Sequence, residues 1–214
     1  MVVLGLTGSI GMGKSAAATM LRRLGVPVHD ADAAVHSLLG RNGAAVAKVE
    51  AEFPGTAGPD GIDRAALGRR VFGDAAALCR LERILHPMVR ADTARFLRRA
   101  RARRVRLVVL DIPLLFETRG ESRCDAIIVV SAPAFLQRAR VLGRPGMSAA
   151  RFAAILAKQM PDSDKRRRAD FVVPTGLGRR ETLRRLAEIV KVASAAHPRF
   201  AMRRRRHARD RARH

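Results

Sequence analysis

The chain has no tryptophan, no tyrosine and only eight phenylalanines in 214 residues. Proteins that bind single-stranded nucleic acid stack bases on aromatic rings, so no specific nucleic-acid partner is expected, despite a formal net charge of +23. Lysine is scarce as well: five of the 42 basic residues are Lys and the other 37 are Arg. With abundant Ala and little Asn, that skew is what a compositional bias of the source would give. The one Asn, Asn42, precedes Gly43. This excludes the guanine-reading N-K-x-D motif of regulatory GTPases, which needs an Asn before a Lys. Nothing matches the signature loop of transport ATPases. The two cysteines, Cys79 and Cys124, are far apart and in no metal or redox spacing. They read as reduced structural residues of a cytoplasmic protein. No apolar run approaches the ~20 residues of a membrane span. The longest candidate, residues 105–116, is interrupted by Asp111 and Pro113. Met1 leads directly into an apolar stretch, so no signal peptide is expected.

What the chain does have is enough apolar content to fold. At 48% hydrophobic residues it can bury one sizeable core, with room for an inserted subdomain. The most informative segment is Gly8-Ser9-Ile10-Gly11-Met12-Gly13-Lys14-Ser15, which fits G-x-x-x-x-G-K-[S/T] at every fixed position. Val2-Val3-Leu4-Gly5-Leu6 before it reads as a buried strand, and residues 16–24 after it as a helix. Strand, glycine-rich loop and helix is the context this pattern needs to work as a phosphate-binding loop. Glycines let the backbone curl so that N–H groups converge on phosphate oxygens. The following helix adds its positive N-terminal end. In this pattern Lys14 reaches the β/γ-phosphates and the Ser15 hydroxyl ligates Mg²⁺. The amides of Gly8, Gly11, Met12, Gly13, Ser15 and Ala16 complete the candidate ATP site. Residues 199–214 carry eight Arg against Asp210, a net of +7, so +16 remains elsewhere. That remainder suits polyanionic small substrates.

Further apolar runs follow at Val26-Pro27-Val28-His29, residues 105–110, residues 126–130 and Phe171-Val172-Val173. They are continuous and β-branched, as parallel strands covered on both faces should be. Helical patterns fill the gaps. Ser131 sits near one helix start with Pro133 in its first turn, Ser148 is placed to cap a helix to Gln159, and residues 177–195 form a last amphipathic helix. The class is α/β: a doubly wound five-stranded parallel sheet of the P-loop NTPase type, similar to nucleoside-monophosphate kinases. The 75 residues between the second and third strands, 30–104, are too many for a crossover and read as a helical insertion. Residues 54–61 are its loop, and residues 74–102 its long helix, kinked or broken at His86-Pro87. Residues 138–169 are a second, Arg-rich helical excursion. Such excursions in kinases bind the phosphate acceptor and close as a lid that keeps water from the donor phosphates. The expected division is a core of 1–31, 103–137 and 170–198, an acceptor-binding insertion of 32–102, a lid of 138–169, and a disordered Arg-rich tail of 199–214.

Several segments together resemble the dephospho-coenzyme A kinase family. They are Leu6-Thr7 with the phosphate-binding loop, Asp30-Ala31-Asp32 closing the second strand, and Leu81-Glu82-Arg83-Ile84-Leu85-His86-Pro87. Asp111-Ile112-Pro113-Leu114-Leu115-Phe116-Glu117 resembles the family's turn after the third strand. Gln137 with Arg140 and Arg144, then Gln159 and Ala169-Asp170, resembles its lid and the entry to the fifth strand. The likeness runs from residue 2 to about residue 180. Ala16 stands where the family usually has Thr. Val173-Pro174-Thr175-Gly176 stands where it commonly has an Asn before Gly, near the adenine.

The resemblance implies transfer of the γ-phosphoryl of ATP to the ribose 3′-hydroxyl of dephospho-coenzyme A, with Mg²⁺, in a monomer or weak homo-oligomer. The rivals are a P-loop kinase for another small hydroxylated acceptor and, from a different class, a nucleic-acid-stimulated NTPase. An acceptor hydroxyl needs a carboxylate to orient it and take its proton. Asp32 is the candidate catalytic residue beside Lys14. Asp30 competes, either acid can hold Mg²⁺ through water, and Asp30 can instead cap the next helix. Asp111 ends the third strand, where it organises Mg²⁺ or caps a turn. Arg140 and Arg144, four apart on one helix face, clamp ATP phosphates or stay solvated. His86 packs at the kink or, by resemblance, lies with His36 near the acceptor.

Overall fold

In the computed structural model, which describes residues 1–195, the apolar runs become strands. β1 (Val2–Thr7) leads through the phosphate-binding loop into α1 (Lys14–Arg23), and β2 (Val28–Asp30) follows. Next come α2 (Ala31–Leu39), α3 (Val46–Glu52), β3 (Ala57–Gly58), β4 (Gly61–Ile62), α4 (Arg64–Val71) and α5 (Ala75–Ala102). β5 (Leu107–Asp111), β6 (Ala126–Ser131), α6 (Ala134–Leu142), α7 (Ala149–Ala157), α8 (Asp162–Arg168), β7 (Phe171–Pro174) and α9 (Arg179–Ala195) complete the order. The expected tail at 199–214 lies outside the described residues.

The main sheet has the order β2-β5-β1-β6-β7. β1 pairs in parallel with β5 and β6, and β6 in parallel with β7. Every residue of β1, β5 and β6 is buried, which is why these strands read as unbroken apolar runs rather than alternating ones. Leu4, Leu6, Ile128, Val130 and Val173 join Leu21 of α1 and Leu186 of α9 in one cluster. Leucines as fully enclosed as Leu4 and Leu6 are each worth about 2–5 kcal/mol against truncation to Ala. From β1 the chain winds outward to β2 on one side and, after β5, to β6 and β7 on the other. β1 thus ends beside the reversal point of strand order, where open α/β sheets bind ligands.

The described chain divides into two compact units, one of residues 1–29 with 100–195, the other of Asp30–Arg99. The second unit has its own core of Leu39, Val49, Phe53, Ile62, Leu67, Leu81 and Leu85. Its α2 begins where the Asp30 carboxylate accepts the N–H groups of Asp32 and Ala33, both at 3.0 Å. A cap of this kind is worth about 1 kcal/mol. Residues 54–61, expected to be loop, include β3 and the first residue of β4, which pair as a small antiparallel hairpin. Glu50 supports it by accepting the N–H groups of Gly55, Thr56 and Ala57 at 2.7, 2.9 and 2.6 Å. Strands two residues long carry no readable alternation, so sequence pattern cannot show them.

Three local expectations are narrowed or changed. Of the two alternatives at His86-Pro87, the break does not occur: α5 runs from Ala75 to Ala102 with Pro87 inside it, because its apolar positions continue past the proline and their packing outweighs one missing hydrogen bond. Ser131 belongs to the end of β6 and gives its hydroxyl to Asp162 Oδ2 at 2.7 Å rather than capping α6. Pro133 holds the cap position of α6, with no side-chain cap. Ser148 does cap α7, accepting the Arg151 N–H at 3.1 Å.

Candidate active site around the phosphate-binding loop

The loop begins where β1 ends and closes at Gly13, which holds the cap position of α1 at φ 89°. Lys14 and Ser15 are therefore the first residues of α1, at the end of the helix where N–H groups point outward. Ser15 and Ala16 are exposed, whereas Met12 is buried in the core cluster. The Met12 sulfur accepts the Ala132 N–H at 3.0 Å, which ties the loop to the end of β6.

Lys14 is not a solvated loop lysine. Its Nζ lies 2.7 Å from Asp111 Oδ1, with side chains 15% and 2% exposed. β5 pairs with β1 so that Asp111 lies opposite Leu6, which brings this acid to the mouth of the loop. The Thr7 hydroxyl donates to Pro113 O at 2.9 Å and the Ile112 N–H to Leu6 O at 3.0 Å, fixing the turn after β5 against the end of β1.

That turn ends in Glu117. Its Oε1 accepts the Met160 N–H at 2.8 Å and lies 2.9 Å from Nζ of Lys165, a residue of α8 with no exposed surface. Lys165 makes an ion-pair contact there rather than an aligned hydrogen bond. Arg168 adds a contact at 2.6 Å to Glu121 and stacks over the Phe116 ring at 4.6 Å. The return leg of the expected lid is thus fastened to the β5 turn. Burial pushes the Glu117 carboxyl up, but the Lys165 ammonium and the N–H groups of Met160 and Glu117 itself outweigh it. The net result holds Glu117 below its ordinary 4.5.

A depressed carboxyl stabilises the fold above its unfolded value, and that stability is lost as pH falls through the lower folded value. Glu117→Gln keeps the shape but leaves Lys165 charged and enclosed. At pH 7 it is expected to cost about 3 kcal/mol, the low end for a broken buried pair. The deficit should shrink below pH 4.5, as the native acid also protonates. Denaturant unfolding of both proteins at neutral and acid pH measures this, and a deficit independent of pH would place the effect elsewhere.

Of the other expected site residues, Arg140 is in α6, but Arg144 is not. The helix ends at Leu142 with Gly143 as its cap, so the two arginines do not share a helix face, and Arg144 is exposed in the following turn. Arg140 donates to Thr175 O at 2.8 Å and Thr175 Oγ1 at 3.1 Å. Gln137 and Gln159 hold the two polar groups of Ile10: Gln137 Nε2 donates to its carbonyl at 2.8 Å, and Gln159 Oε1 accepts its N–H at 3.1 Å. Thr175, Lys165 and the pairing role of Glu117 were not picked out by the chemistry of the sequence. Glu117 was visible only as part of a resembling segment, and an isolated Thr or Lys carries no motif. A cleft of about 480 Å³ is lined by Met12 of the loop and Gln137 of α6, but not by Lys14, Ser15 or Asp111.

Within the second unit, Asp30 is committed to capping α2, while Asp32 is exposed in the helix's first turn. His36, exposed on the same helix, has its Nδ1 against the Arg64 guanidinium. His86 is exposed on α5 beside Pro87. Among the described residues no cluster of His, Cys, Asp or Glu forms a ready-made metal cage. No described helix is long and apolar enough to cross a membrane.

The family model for dephospho-CoA kinase (CoaE) matches residues 2–177. The chain belongs to the dephospho-CoA kinase family. The family's named members include a dephospho-CoA kinase of Paramagnetospirillum magneticum, 69% identical over 166 residues, which are 78% of each chain. One from Rhodospirillum rubrum is 63% identical over 186 residues, covering 86% of this chain and 88% of that protein. Among solved structures, a Thermus thermophilus protein superposes with a TM-score of 0.78 at 36% identity, over 89% of this chain and 96% of that one. Dephospho-CoA kinase from Campylobacter jejuni shares the fold, with a TM-score of 0.63 at 24% identity over 90% and 97% of the two chains.

Proposed function

We propose that the chain transfers the γ-phosphoryl group of ATP to the ribose 3′-hydroxyl of dephospho-CoA, giving CoA. The observation that carries this reading is the family match over residues 2–177, which takes in the phosphate-binding loop and the segments around Asp32, His86 and Glu117. Phosphoryl transfer asks for positioning and charge stabilisation more than covalent chemistry. Lys14 and the amides of Gly8, Gly11, Gly13, Ser15 and Ala16 serve the ATP phosphates; the Met12 N–H, also expected there, instead closes a turn onto Ser9 O at 3.1 Å. Arg144, exposed on the turn after α6, is available to approach them from the lid, and Arg140 acts beside the loop. Asp32 orients the acceptor hydroxyl and takes its proton, a role that fits an exposed acid whose neighbour already caps the helix. His36 and His86 serve the acceptor.

A divalent cation accompanies ATP in kinases, and we assign Mg²⁺. The donors at hand fit it: the Ser15 hydroxyl and the Asp111 carboxylate are hard oxygen ligands. Mg²⁺ takes few protein ligands and completes its shell with phosphate oxygens and water. When bound, the cation neutralises charge on the phosphates. Asp111 now engages Lys14, so a shared carboxylate would serve both cations.

The test is product identification. The chain is incubated with ATP, Mg²⁺ and, separately, dephospho-CoA, adenosine, AMP, pantetheine and DNA. CoA should form from dephospho-CoA, with the other arms close to background. Phosphorylation of another acceptor, or ATP hydrolysis stimulated by DNA, would overturn the reading.

A further inference from the structure

Three successive carbonyls of the phosphate-binding loop are held from outside it. Gln137 Nε2 donates to Ile10 O at 2.8 Å, Arg140 Nη1 to Gly11 O at 3.4 Å, and Thr175 Oγ1 to Met12 O at 2.7 Å. The first two donors lie about one turn apart on α6, and the third lies just past β7. Arg140 also binds the Thr175 hydroxyl and carbonyl, so the supports are linked to one another. Gln137 and Thr175 are both buried.

A trans peptide sets its N–H opposite its C=O in the same plane, and no described peptide is cis. Holding the Ile10 and Met12 carbonyls toward these donors therefore turns the N–H groups of Gly11 and Gly13 the other way. Backbone amides turned to one side make an anion-binding concavity; here they are the alternate amides of Gly11 and Gly13, because the Met12 N–H between them closes a turn onto Ser9 O at 3.1 Å. The two glycines are needed twice over. Each has positive φ, 77° and 89°, and each leaves room for a support. A Cβ on Gly11 would lie 2.5 Å from Val141 Cγ2 and 3.0 Å from Gln137 O, and one on Gly13 would lie 3.1 Å from Thr175 Oγ1.

We propose that Gln137 and Thr175, joined through Arg140, are positioning residues that aim the loop amides at the nucleotide polyphosphate before it arrives. This rests on reading the loop as the ATP phosphate site. It also reassigns Thr175, which stands in the segment expected to touch adenine: its hydroxyl serves the phosphate grip instead of the base.

The probe is inorganic tripolyphosphate, which has no base, competing with a fluorescent ATP analogue on the full chain. Thr175→Val keeps the shape and removes the donor, and Thr175→Ser keeps the donor. Thr175→Val should weaken tripolyphosphate and ATP alike, by about tenfold, and Thr175→Ser by no more than about twofold, as expected for a hydrogen bond whose loss strands a carbonyl. Gln137→Met should repeat the paired loss, with thermal unfolding used to confirm that each variant is folded. If Thr175→Val does not fold, the folded Gln137→Met decides. A loss for ATP with tripolyphosphate unchanged would assign Thr175 to the base and overturn the proposal. Unchanged affinity for both ligands in the folded variants would overturn it as well. Tripolyphosphate binding needs no acceptor, so this outcome is independent of which product the enzyme makes.

Discussion

Replacing Asp32 with Asn is expected to cut turnover with dephospho-CoA by roughly 10²–10⁴-fold, the usual worth of a positioned general base. ATP affinity should change little. Asn keeps the size and much of the hydrogen bonding but loses charge and basicity. Asp32 is exposed and its backbone N–H, not its side chain, completes the α2 cap, so the fold should be indifferent to the change. The control is Asp30→Asn. Asn caps a helix as well as Asp does, so this variant should stay folded and lose much less turnover. If Asp32 chiefly organises the cation, its defect will ease at high Mg²⁺. The measurement is turnover and ATP affinity for both variants across a magnesium titration. A near-normal Asp32→Asn enzyme beside a dead Asp30→Asn enzyme would reverse the assignment. Normal turnover in both would remove Asp30-Ala31-Asp32 from the chemistry.

Lys14→Ala is expected to lower turnover by about 10³-fold or more, since removing one charge-stabilising donor from a transition state already costs 10²–10³-fold. A solvated loop lysine would add little to stability, and its loss would leave the fold unchanged. The contact at 2.7 Å with Asp111, whose side chain is 2% exposed, changes that expectation. Lys14→Ala strips a partner from an enclosed carboxylate and should lower the unfolding temperature as well. The double variant Lys14→Ala/Asp111→Asn should recover stability without recovering turnover. This separates the catalytic part of the defect from the electrostatic one. Thermal unfolding and steady-state turnover of the three proteins test the point, and wild-type turnover by a folded Lys14→Ala protein would take the loop out of the mechanism.

Much of the molecule was legible because its signals are local. The three central strands, β1, β5 and β6, announce themselves as apolar runs, since strands covered on both faces need no polar side. The loop is legible because positive φ at two positions and close approach to phosphate restrict the residues that fit. The cap by Ser148 follows from one residue's preference. Less local features escaped. Pro87 reads in isolation as a kink or a break, and only the structure decides that α5 is not broken there. Arg140 and Arg144 look like one helix face until Gly143 ends the helix between them. Ser131 looks like a cap, but its hydroxyl is drawn 31 residues along the chain to Asp162.

By itself the sequence determined the strand–loop–helix unit, the α/β class, the likeness to the dephospho-CoA kinase family and the identity of Lys14, Ser15 and Asp32 as candidate chemistry. Those depend on residue types at fixed short spacings. Only the tertiary structure decided what holds that chemistry in place: Asp111 on Lys14 across 97 positions, Glu117 on the enclosed Lys165, and Thr175 on the Met12 carbonyl across 163. Such pairs are set by strand order and register, which bring distant residues to the same edge of a sheet. A hydrogen bond or ion pair acts over about 3 Å of space, whatever the separation along the chain.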